Sequence, residues 1–434
     1  MSLQEPVRLR IFSLNCWGIH YLTRHCSQRY EMIGELLDRQ RHDLALLQEV
    51  WSEKDYLYLK NKLGSSHPHS HYFRSGVIGS GLAVFSRHLI QDALLYKYSL
   101  NGYPYMVHQG DWFGGKAVGL VALDISGLRA HVYVSHLHAE YSREVDSYLP
   151  HRTVQAWELQ QFIRHTSAGA DFLVLGGDLN MHPQDLGCRL VRAHTGLRDC
   201  YSDTERFEGC EDGITLIADN MFTTKKDLIP FEKGIRIDYI LTKGSKNVCV
   251  KCESMSTTTG SVPGKAFPYS DHEALTSNLL LLKPEGGLER HGDSSHGDVP
   301  PSELADLVSE ALAVVKDGIR HTEQLQQMSQ RLLMAGLALL LLELTLALGP
   351  CLCPDSLQAF PYIVLGLLGA LCLVVLMAGT LLYTLYTSQL KALRETEGQM
   401  KLSAANVRRR AGGCQGSPQV GPNSQSSSLF DPEE

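Results

Sequence analysis

The chain has 434 residues, of which 44% are apolar and 20% charged, and its formal net charge is −7. That length and apolar content are enough for one large or two ordinary domains with a sizeable core. The mild acidity disfavours non-specific DNA binding, which needs a basic face, although it allows a local basic groove. A wholly soluble protein is also disfavoured, because Glu343 and Asp355 are the only charged residues between Arg331 and Gln389.

The eleven cysteines do not follow the pattern of a disulfide framework. Seven of them, an odd number, are scattered before Lys283, and residues 1–10 contain no apolar run typical of a signal peptide. These features predict free thiols in a reducing compartment. Cys249 and Cys252 form a single Cys-x-x-Cys pair, and without a second pair they do not indicate a structural zinc site.

Residues 7–282 are predicted to form one α/β domain. Helical patterns cover Arg24–Gln40 and Thr153–His165, and they alternate with apolar or alternating runs typical of strands. This order predicts sheets that are covered by helices. The strands are expected at Val7–Trp17, Asp43–Val50, Leu82–Ser86, Ala117–Ile125, Ala130–His138, Phe172–Gly176, Ile235–Leu241 and Glu273–Leu282.

A linker rich in Pro, Gly, His and Ser is predicted at 283–301, and an amphipathic juxtamembrane helix at 302–330. Apolar residues recur every three or four positions from Leu304 to Ile319, and Ser302 is a candidate N-cap. Such a helix either lies on a membrane or packs on the preceding domain, and the pattern does not separate these alternatives.

Two transmembrane helices are predicted, at 331–349 and 360–386. Glu343 interrupts the first at an insertion cost of about 2–3 kcal/mol, which the many leucines outweigh. The loop between them has no Lys or Arg, whereas basic residues flank the pair on both sides, so both ends are expected in the cytosol. Residues 387–434 then form a cytosolic tail with a disordered end. This topology fits the endoplasmic reticulum or nuclear envelope, with the plasma membrane or Golgi as alternatives.

Six short motifs follow one another in chain order, mostly at the ends of predicted strands. Each alone is weak, because an Asn or His at a strand end is often satisfied by a turn. Together, within one domain, they indicate a functional site at the strand ends. The motifs are Leu14-Asn15-Cys16-Trp17, Gln48-Glu49-Val50-Trp51, Ser135-His136-Leu137-His138, Gly177-Asp178-Leu179-Asn180, Arg236-Ile237-Asp238-Tyr239-Ile240 and Ser270-Asp271-His272-Glu273.

This set of motifs resembles the endonuclease/exonuclease/phosphatase superfamily, which has the DNase-I-like fold. It is more closely similar to the neutral sphingomyelinases, in Leu14–Gly18, in His136–Glu140 and in Asn101–Tyr105. The terminal hairpin also resembles that family, so the resemblance covers essentially the whole chain. It implies a four-layer α/β sandwich, with two packed sheets flanked by helices and the site at the strand ends, followed by a C-terminal transmembrane helical hairpin.

The residue types in these motifs suit phosphodiester hydrolysis, which needs charge neutralisation at the phosphate, a deprotonated water and stabilisation of the leaving oxygen. Glu49 and Asn15 offer oxygen ligands that suit Mg²⁺, the expected cofactor. The alternative for Glu49 is a helix cap or an ion pair.

His272 is the candidate general base, because imidazole titrates near neutral pH, and Asp238 would hold its other ring nitrogen. A core histidine is the alternative. Asp178 and Asn180 share a face of an extended segment. Asp178 would orient the attacking water and Asn180 would bind a phosphate oxygen, unless they form an Asx-turn. Asp271 is a candidate contact for a metal-bound water.

The resemblance implies that His136 assists the leaving group, that His138 is structural, and that Asp111 and Lys116 form a regulatory pair. Lys116 follows two glycines and can reach a phosphate, although the sequence equally allows a surface charge. An aromatic cluster nearby suits either a choline or lipid-entry surface or an ordinary core, because aromatic faces bind quaternary ammonium groups. Its members are Tyr103, Tyr105, Trp112 and Phe113.

The sequence therefore predicts a membrane-anchored, Mg²⁺-dependent phosphodiesterase that hydrolyses sphingomyelin to ceramide and phosphocholine, with the lipid substrate and the bilayer as its partners. A phospholipase C acting on lysophosphatidylcholine or lyso-platelet-activating factor is the nearest alternative. A nuclease is disfavoured by the absence of an obvious basic run in 7–282, so no nucleic acid is expected. An inositol phosphatase usually has Cys-Asp-Arg where this chain has Gly234–Asp238, and a non-catalytic membrane tether is disfavoured by the complete motifs.

Overall fold

The computed structural model of the protein describes residues 6–224, 228–283, 299–352 and 362–413. Within these ranges, the strands are β1 Val7–Asn15, β2 Leu44–Gln48, β3 His69–Phe73, β4 Leu82–Ser86, β5 Ile90–Lys97, β6 Ala117–Ile125, β7 Leu128–His136, β8 Phe172–Asp178, β9 Arg198–Asp199, β10 Phe207–Glu208, β11 Leu216–Ile217, β12 Gly234–Ile235, β13 Asp238–Gly244, β14 Cys249–Thr257 and β15 Leu275–Leu282. The α-helices are α1 Cys26–Gln40, α2 Glu53–Lys62, α3 Asp111–Gly114, α4 Leu149–Thr166, α5 Leu186–Thr195, α6 Cys200–Asp203, α7 Pro301–Leu352 and α8 Tyr362–Gly413.

Two β-sheets stack face to face, and helices cover their outer surfaces. One sheet has seven strands in the order β10-β14-β15-β1-β2-β4-β3, and the other has six in the order β5-β6-β7-β8-β13-β9. The alternating side chains of β1 show how the layers form, because Leu9 and Ile11 pack between the sheets whereas Phe12 and Leu14 pack under α1. The predicted four-layer α/β sandwich is confirmed.

Strand pairing brings the ends of five strands to one edge of the sandwich. β1 runs parallel to β2, with Asn15 opposite Gln48, and β7 runs parallel to β8, with His136 opposite Asp178. β13 is antiparallel to β8, so Asp238, its first residue, lies opposite Asp178, the last residue of β8. Motifs that are far apart in the sequence therefore meet at this edge.

α7 and α8 form an antiparallel helical hairpin whose helices extend beyond the predicted spans. The predicted juxtamembrane helix at 302–330 and the span at 331–349 are one continuous helix, and α8 continues from the second span to Gly413. A change from polar to apolar residues does not end a helix, and no proline interrupts the backbone hydrogen bonds from 302 to 349. Residues 284–298 of the predicted linker and 414–434 of the predicted tail lie outside the described residues.

The first half of α7 and the second half of α8 pack on α4 and α5. Val308 and Val315 of α7 and Met400 of α8 are fully buried in a core that also contains Trp157 of α4. The apolar stripe of the predicted juxtamembrane helix therefore packs on the α/β domain, which decides between the two alternatives that the sequence allowed.

Beyond this packing, both helices present apolar side chains to their surroundings, among them Met334 and Leu367. Both are long and apolar enough, by length and composition, to cross a membrane. Glu343 of α7 lies against Gly369 of α8. A Cβ added at Gly369 would lie 2.6 Å from Oε1 of Glu343. This carboxylate therefore faces the neighbouring helix, which is how ionisable groups in apolar segments are usually accommodated.

Candidate active site

An open pocket of about 510 Å³ lies at the edge where the strand ends meet. Asn15 and Asp238 lie directly beneath it, and each is at most 2% exposed. The structure thus brings all eight predicted site residues together. The other six line the pocket, namely Glu49, Lys116, His136, Asp178, Asn180 and His272.

Asn15, at the end of β1, joins two carboxylates. Its Nδ2 donates to Oε1 of Glu49 and to Oδ2 of Asp178, each at 3.0 Å, while its Oδ1 accepts from the backbone N–H of Trp17 at 3.0 Å. The amide oxygen is therefore engaged, and the nitrogen faces Glu49. Asn15 positions the carboxylates in this arrangement, and its predicted role as a cation ligand requires the amide to turn over.

Glu49 follows β2 with its carboxylate facing the pocket. Both carboxylate oxygens accept from neutral donors, Nδ2 of Asn15 at 3.0 Å and Nε1 of Trp51 at 3.3 Å. Its backbone is in the left-handed region, with φ of 57°, a conformation that costs a non-glycine residue free energy and is concentrated at functional sites. A strained, half-buried carboxylate with neutral partners is suited to a hard cation.

His272 and Asp238 form a buried pair. Nδ1 of His272 lies 2.8 Å from Oδ2 of Asp238, and the backbone N–H of Asp238 donates to the Thr215 hydroxyl at 3.3 Å. Burial alone would lower the pKa of His272, but the charges of Asp238, Asp271 and Asp178 outweigh burial and raise this pKa well above its ordinary value. The imidazolium form of His272 is thus favoured, which is the direction expected when a carboxylate such as Asp238 holds the other ring nitrogen.

Asp178 is placed by a close approach of two strands. An added Cβ at Gly177, where φ is 143°, would lie 2.0 Å from the carbonyl oxygen of Ser135, so only glycine fits there. Burial would raise the pKa of Asp178, but hydrogen bonding and charge from His136, with the charges of His272 and Lys116, hold it below its ordinary value. Asp178 is therefore a carboxylate at neutral pH.

The predicted alternatives for Asp178 and Asn180 turn out to be compatible. The backbone N–H of Asn180 donates to Oδ1 of Asp178 at 2.8 Å, which is an Asx-turn, while Oδ2 of Asp178 remains directed at Asn15 and lies 3.4 Å from Nε2 of His136. Nδ2 of Asn180 donates to the carbonyl of Leu137 at 3.0 Å. The turn thus fixes both side chains at the pocket wall.

Lys116 is only 3% exposed, so the surface-charge alternative for this residue is wrong. Its Nζ lies 2.7 Å from Nε2 of His136 and 3.1 Å from Oδ1 of Asp111. Burial would raise the pKa of Asp111, but His138 and Lys116 hold it below its ordinary value. The buried ion pair therefore sets the position of Lys116 beside His136.

Asp271 is the acidic group of the pocket with a raised pKa. Loss of hydration together with the Glu49 charge, opposed by the charge of His272, raises the pKa of Asp271 to about 7.

A second group of side chains in the pocket can hold a metal ion. Asp178, Asp238 and His272 place one ligand atom each within 4.8 Å of one another. The sequence did not single out this second candidate position for a cation.

Comparisons with known proteins identify the family of this chain. Residues 12–272 match the family model described as Endonuclease/Exonuclease/phosphatase family. The chain is 48% identical to human sphingomyelin phosphodiesterase 2 over 349 residues, which cover 80% of this chain and 82% of the human protein. This chain belongs to the endonuclease/exonuclease/phosphatase family. The resemblance to sphingomyelinases that the motifs indicated is confirmed.

Two solved structures share the fold of this chain. Staphylococcus aureus beta toxin superposes with a TM-score of 0.50 at 17% identity, covering 62% of this chain and 99% of the toxin chain. Sphingomyelinase C from Streptomyces griseocarneus superposes with a TM-score of 0.50 at 18% identity, covering 63% and 99%. At these identities the likeness concerns the fold alone.

The sequence analysis did not identify Arg29, a buried residue that supports the pocket. Arg29 of α1 is fully buried, and its guanidinium donates to the carbonyls of Cys16 at 2.5 Å and Trp17 at 2.7 Å. It thereby holds the loop after β1 at the pocket. A signal was available, because Arg29 lies on the same helix face as the apolar Cys26 and Ile33.

The aromatic cluster is divided between two surroundings. Tyr103 packs against Tyr148 and against Tyr386 of α8, and the Tyr105 hydroxyl accepts from that of Tyr386 at 3.2 Å. Phe113 instead lines the pocket. Part of the cluster therefore binds the hairpin to the domain, and part borders the site.

Proposed function

We propose that the protein hydrolyses sphingomyelin to ceramide and phosphocholine in a Mg²⁺-dependent reaction at a membrane surface. The observation that carries this proposal is the His272–Asp238 pair, which lies beside Asp178 in an open pocket. The 48% identity to human sphingomyelin phosphodiesterase 2 across most of both chains supports the choice of substrate.

We assign Mg²⁺ to Glu49, with Asn15 as the neighbouring amide. The donor set supports this assignment, because a carboxylate with neutral partners and a second acidic group, Asp271, face the same pocket. A bound Mg²⁺ supplies charge neutralisation on a phosphate oxygen. No cation is assigned to the Asp178, Asp238 and His272 cluster, because these residues transfer a proton and orient water in the proposed mechanism.

His272 acts as the general base in this mechanism. Its Nε2 takes a proton from water while Asp238 fixes Nδ1 and favours the imidazolium that forms. Asp178, with Oδ2 4.0 Å from Nε2 of His272, orients that water. The water oxygen bonds to phosphorus, and the bond from phosphorus to the ceramide oxygen breaks.

The opposite wall of the pocket stabilises the phosphate and the leaving group. Asn180 donates an amide hydrogen to a phosphate oxygen, and Lys116 contributes a positive charge. Lys116 and His136, whose side-chain nitrogens lie 2.7 Å apart, face the charge that develops on the ceramide oxygen. That oxygen takes up a proton from solvent water as it leaves, and His272 returns its proton to solvent. The products are phosphocholine and ceramide.

α7 and α8 are proposed to cross the membrane as a hairpin, with both ends of the chain on the cytosolic side, in the endoplasmic reticulum or nuclear envelope. The two long apolar helices support the anchoring, and the basic residues that flank them support the orientation. The hairpin then keeps the pocket at the surface where the lipid substrate resides.

The test is release of phosphocholine from sphingomyelin and from lysophosphatidylcholine by the full chain in mixed micelles, with Mg²⁺ or with EDTA. We expect Mg²⁺-dependent release and a higher kcat/KM for sphingomyelin. A higher kcat/KM for the lysolipid would transfer the proposal to that substrate. Absence of release from both lipids by a folded protein would contradict it.

A further inference from the structure

The most exposed apolar side chains of the catalytic domain belong to loops near the pocket. Its five most exposed large apolar side chains, among the described residues, are between 67% and 103% exposed and belong to four different loops. Exposed apolar residues are ordinary when scattered, whereas their clustering marks an interaction surface. These five residues, named the apolar rim here, are Tyr21, Leu22, Val77, Val107 and Val145.

The apolar rim borders the catalytic pocket and a neighbouring groove. Leu22 and Val107 line the pocket directly, and Val77 precedes Ile78, which also lines it. Val145 lies with Tyr141 in a neighbouring groove, and Tyr141 lines both the groove and the pocket. Loops from distant parts of the chain therefore present apolar side chains around one opening.

Two of these loops are held by specific contacts. The backbone N–H groups of Val77 and Ile78 both donate to the carbonyl of Phe113, at 2.9 and 3.1 Å. Arg29 holds the loop after β1 through the carbonyls of Cys16 and Trp17. The exposure of these two loops is therefore fixed by the fold, and clustered apolar side chains held in water indicate an interaction surface.

The groove beside the rim leads to the hairpin. It is lined by Tyr105, Tyr141 and Val145 of the domain and by Leu325 of α7. Leu325 and Leu382 pack on Tyr103, Tyr148 and Tyr386 where the two helices leave the domain. The exposed apolar stretch of α7 begins shortly after, near Met334. A bilayer that the helices cross therefore meets the domain on the side of the rim.

We propose that the apolar rim is a bilayer-contact surface that holds the pocket mouth against the lipid headgroups. This proposal rests on the proposed function, because a lipid diester has to reach the pocket floor from the bilayer. The continuity of the rim with the membrane helices favours lipid over a protein partner. The hairpin fixes the protein to the membrane, and the rim sets the orientation of the pocket.

The test uses a combined variant of rim residues that do not line the pocket, Tyr21→Asp, Val77→Asp and Val145→Asp, in the full chain. It is reconstituted in vesicles of phosphatidylcholine and sphingomyelin with Mg²⁺, and it is also assayed on p-nitrophenyl phosphocholine, a soluble ester. Leu89→Asp is the matched control, because Leu89 is exposed and follows the end of β4 that pairs with Leu44, away from the pocket.

We expect the combined variant to hydrolyse vesicle sphingomyelin about tenfold or more slowly, because charged residues oppose insertion of apolar loops into the headgroup region. Its rate on the soluble ester is expected to stay within about twofold of the unmodified chain, the pocket itself being unchanged. Equal rates on vesicles, or parallel losses on both substrates, would overturn the proposal.

A second measurement does not depend on hydrolysis. A Val77→Trp variant in vesicles with brominated acyl chains is expected to lose part of its added fluorescence, whereas Leu89→Trp is not. If the fluorescence of both variants is unquenched, the proposed bilayer contact is wrong, even if the protein hydrolyses sphingomyelin. Quenching of Val77→Trp only, without any sphingomyelin hydrolysis, would support the surface and contradict the proposed substrate.

Discussion

The pocket floor and the hairpin-binding face are both buried, but the floor consists of polar and charged side chains and the face of apolar ones. At the floor, Asn15, Asp178 and Asp238 are polar or charged and at most 2% exposed. At the hairpin-binding face, where α7 and α8 cover α4 and α5, Trp157 packs with Val308 and Met400. The floor depends on the position of individual atoms, whereas the face depends on excluding water from a large apolar area.

This difference predicts how the two regions respond to substitution. At the floor, each buried charge is stabilised by a specific neighbour, as with His272 and Asp238, so a small change removes chemistry. At the hairpin-binding face, interactions are distributed over many side chains, so a change reduces stability and leaves the chemistry intact. Variants in the two regions should therefore separate activity from stability.

The largest expected effect comes from His272→Ala. Loss of the general base is expected to lower kcat by about 10²–10⁴-fold on both micellar sphingomyelin and the soluble ester. His165→Ala, in the exposed last turn of α4, is the matched control and should leave kcat unchanged. Comparable kcat values for His272→Ala and the unmodified chain would remove His272 from the mechanism.

Asp238→Asn is expected to change the pH profile as well as the rate. Asp238 raises the pKa of His272, so its neutral replacement lowers that pKa. Because His272 acts as a base only when it is neutral, the acid limb of the kcat/KM profile is expected to move to lower pH. The value of kcat is expected to fall, because the imidazole loses the carboxylate that orients it. An acid limb that stays in place would show that another group controls it.

Glu49→Gln keeps the shape of the side chain and removes its charge. The Mg²⁺ concentration for half-maximal activity is expected to rise by about 10- to 100-fold, the size of effect that changes around metal ligands usually produce. Glu53→Gln, on the exposed start of α2, is the control. An unchanged Mg²⁺ requirement would move the cation to another position, such as the Asp178, Asp238 and His272 cluster.

The hairpin-binding face is tested by Met400→Ala. Met400 is fully buried, so the substitution is expected to lower the free energy of unfolding by about 2–5 kcal/mol and to leave kcat on the soluble ester unchanged. Leu402→Ala, at a position that is 68% exposed, should change stability by about 0.5 kcal/mol or less. A kcat loss in Met400→Ala without a stability loss would break the distinction between the two regions.

The sequence predicted the floor better than the hairpin-binding face, for a physical reason. Motifs at strand ends such as Asn15 and Asp238 can be placed together because aligned strands end at a common edge. Whether an amphipathic helix packs on protein or lipid depends on a surface that the helix sequence does not contain. The contacts of Tyr386 and Met400 with the domain therefore required the structure.

Several strands, β5 and β14 among them, and several atomic details were also beyond prediction. β5, Ile90–Lys97, is an edge strand with mostly exposed side chains, and β14, Cys249–Thr257, carries polar residues on its outer side. β5 has no fully buried face, and in β14 a bulge between Cys252 and Ser254 interrupts the alternation of the buried Val250, Cys252 and Met255, so neither strand gives a strong apolar pattern. The orientation of the Asn15 amide and the burial of Lys116 depend on partners distant in sequence, Glu49 and His136.

The most direct test of the mechanism is hydrolysis of sphingomyelin in ¹⁸O-labelled water, followed by mass spectrometry of both products. A water oriented by Asp178 and deprotonated by His272 attacks phosphorus, so one ¹⁸O should enter the phosphocholine and none should enter the ceramide. Appearance of the label in the ceramide hydroxyl would mean that the carbon–oxygen bond breaks, and it would contradict the mechanism proposed for the pocket floor.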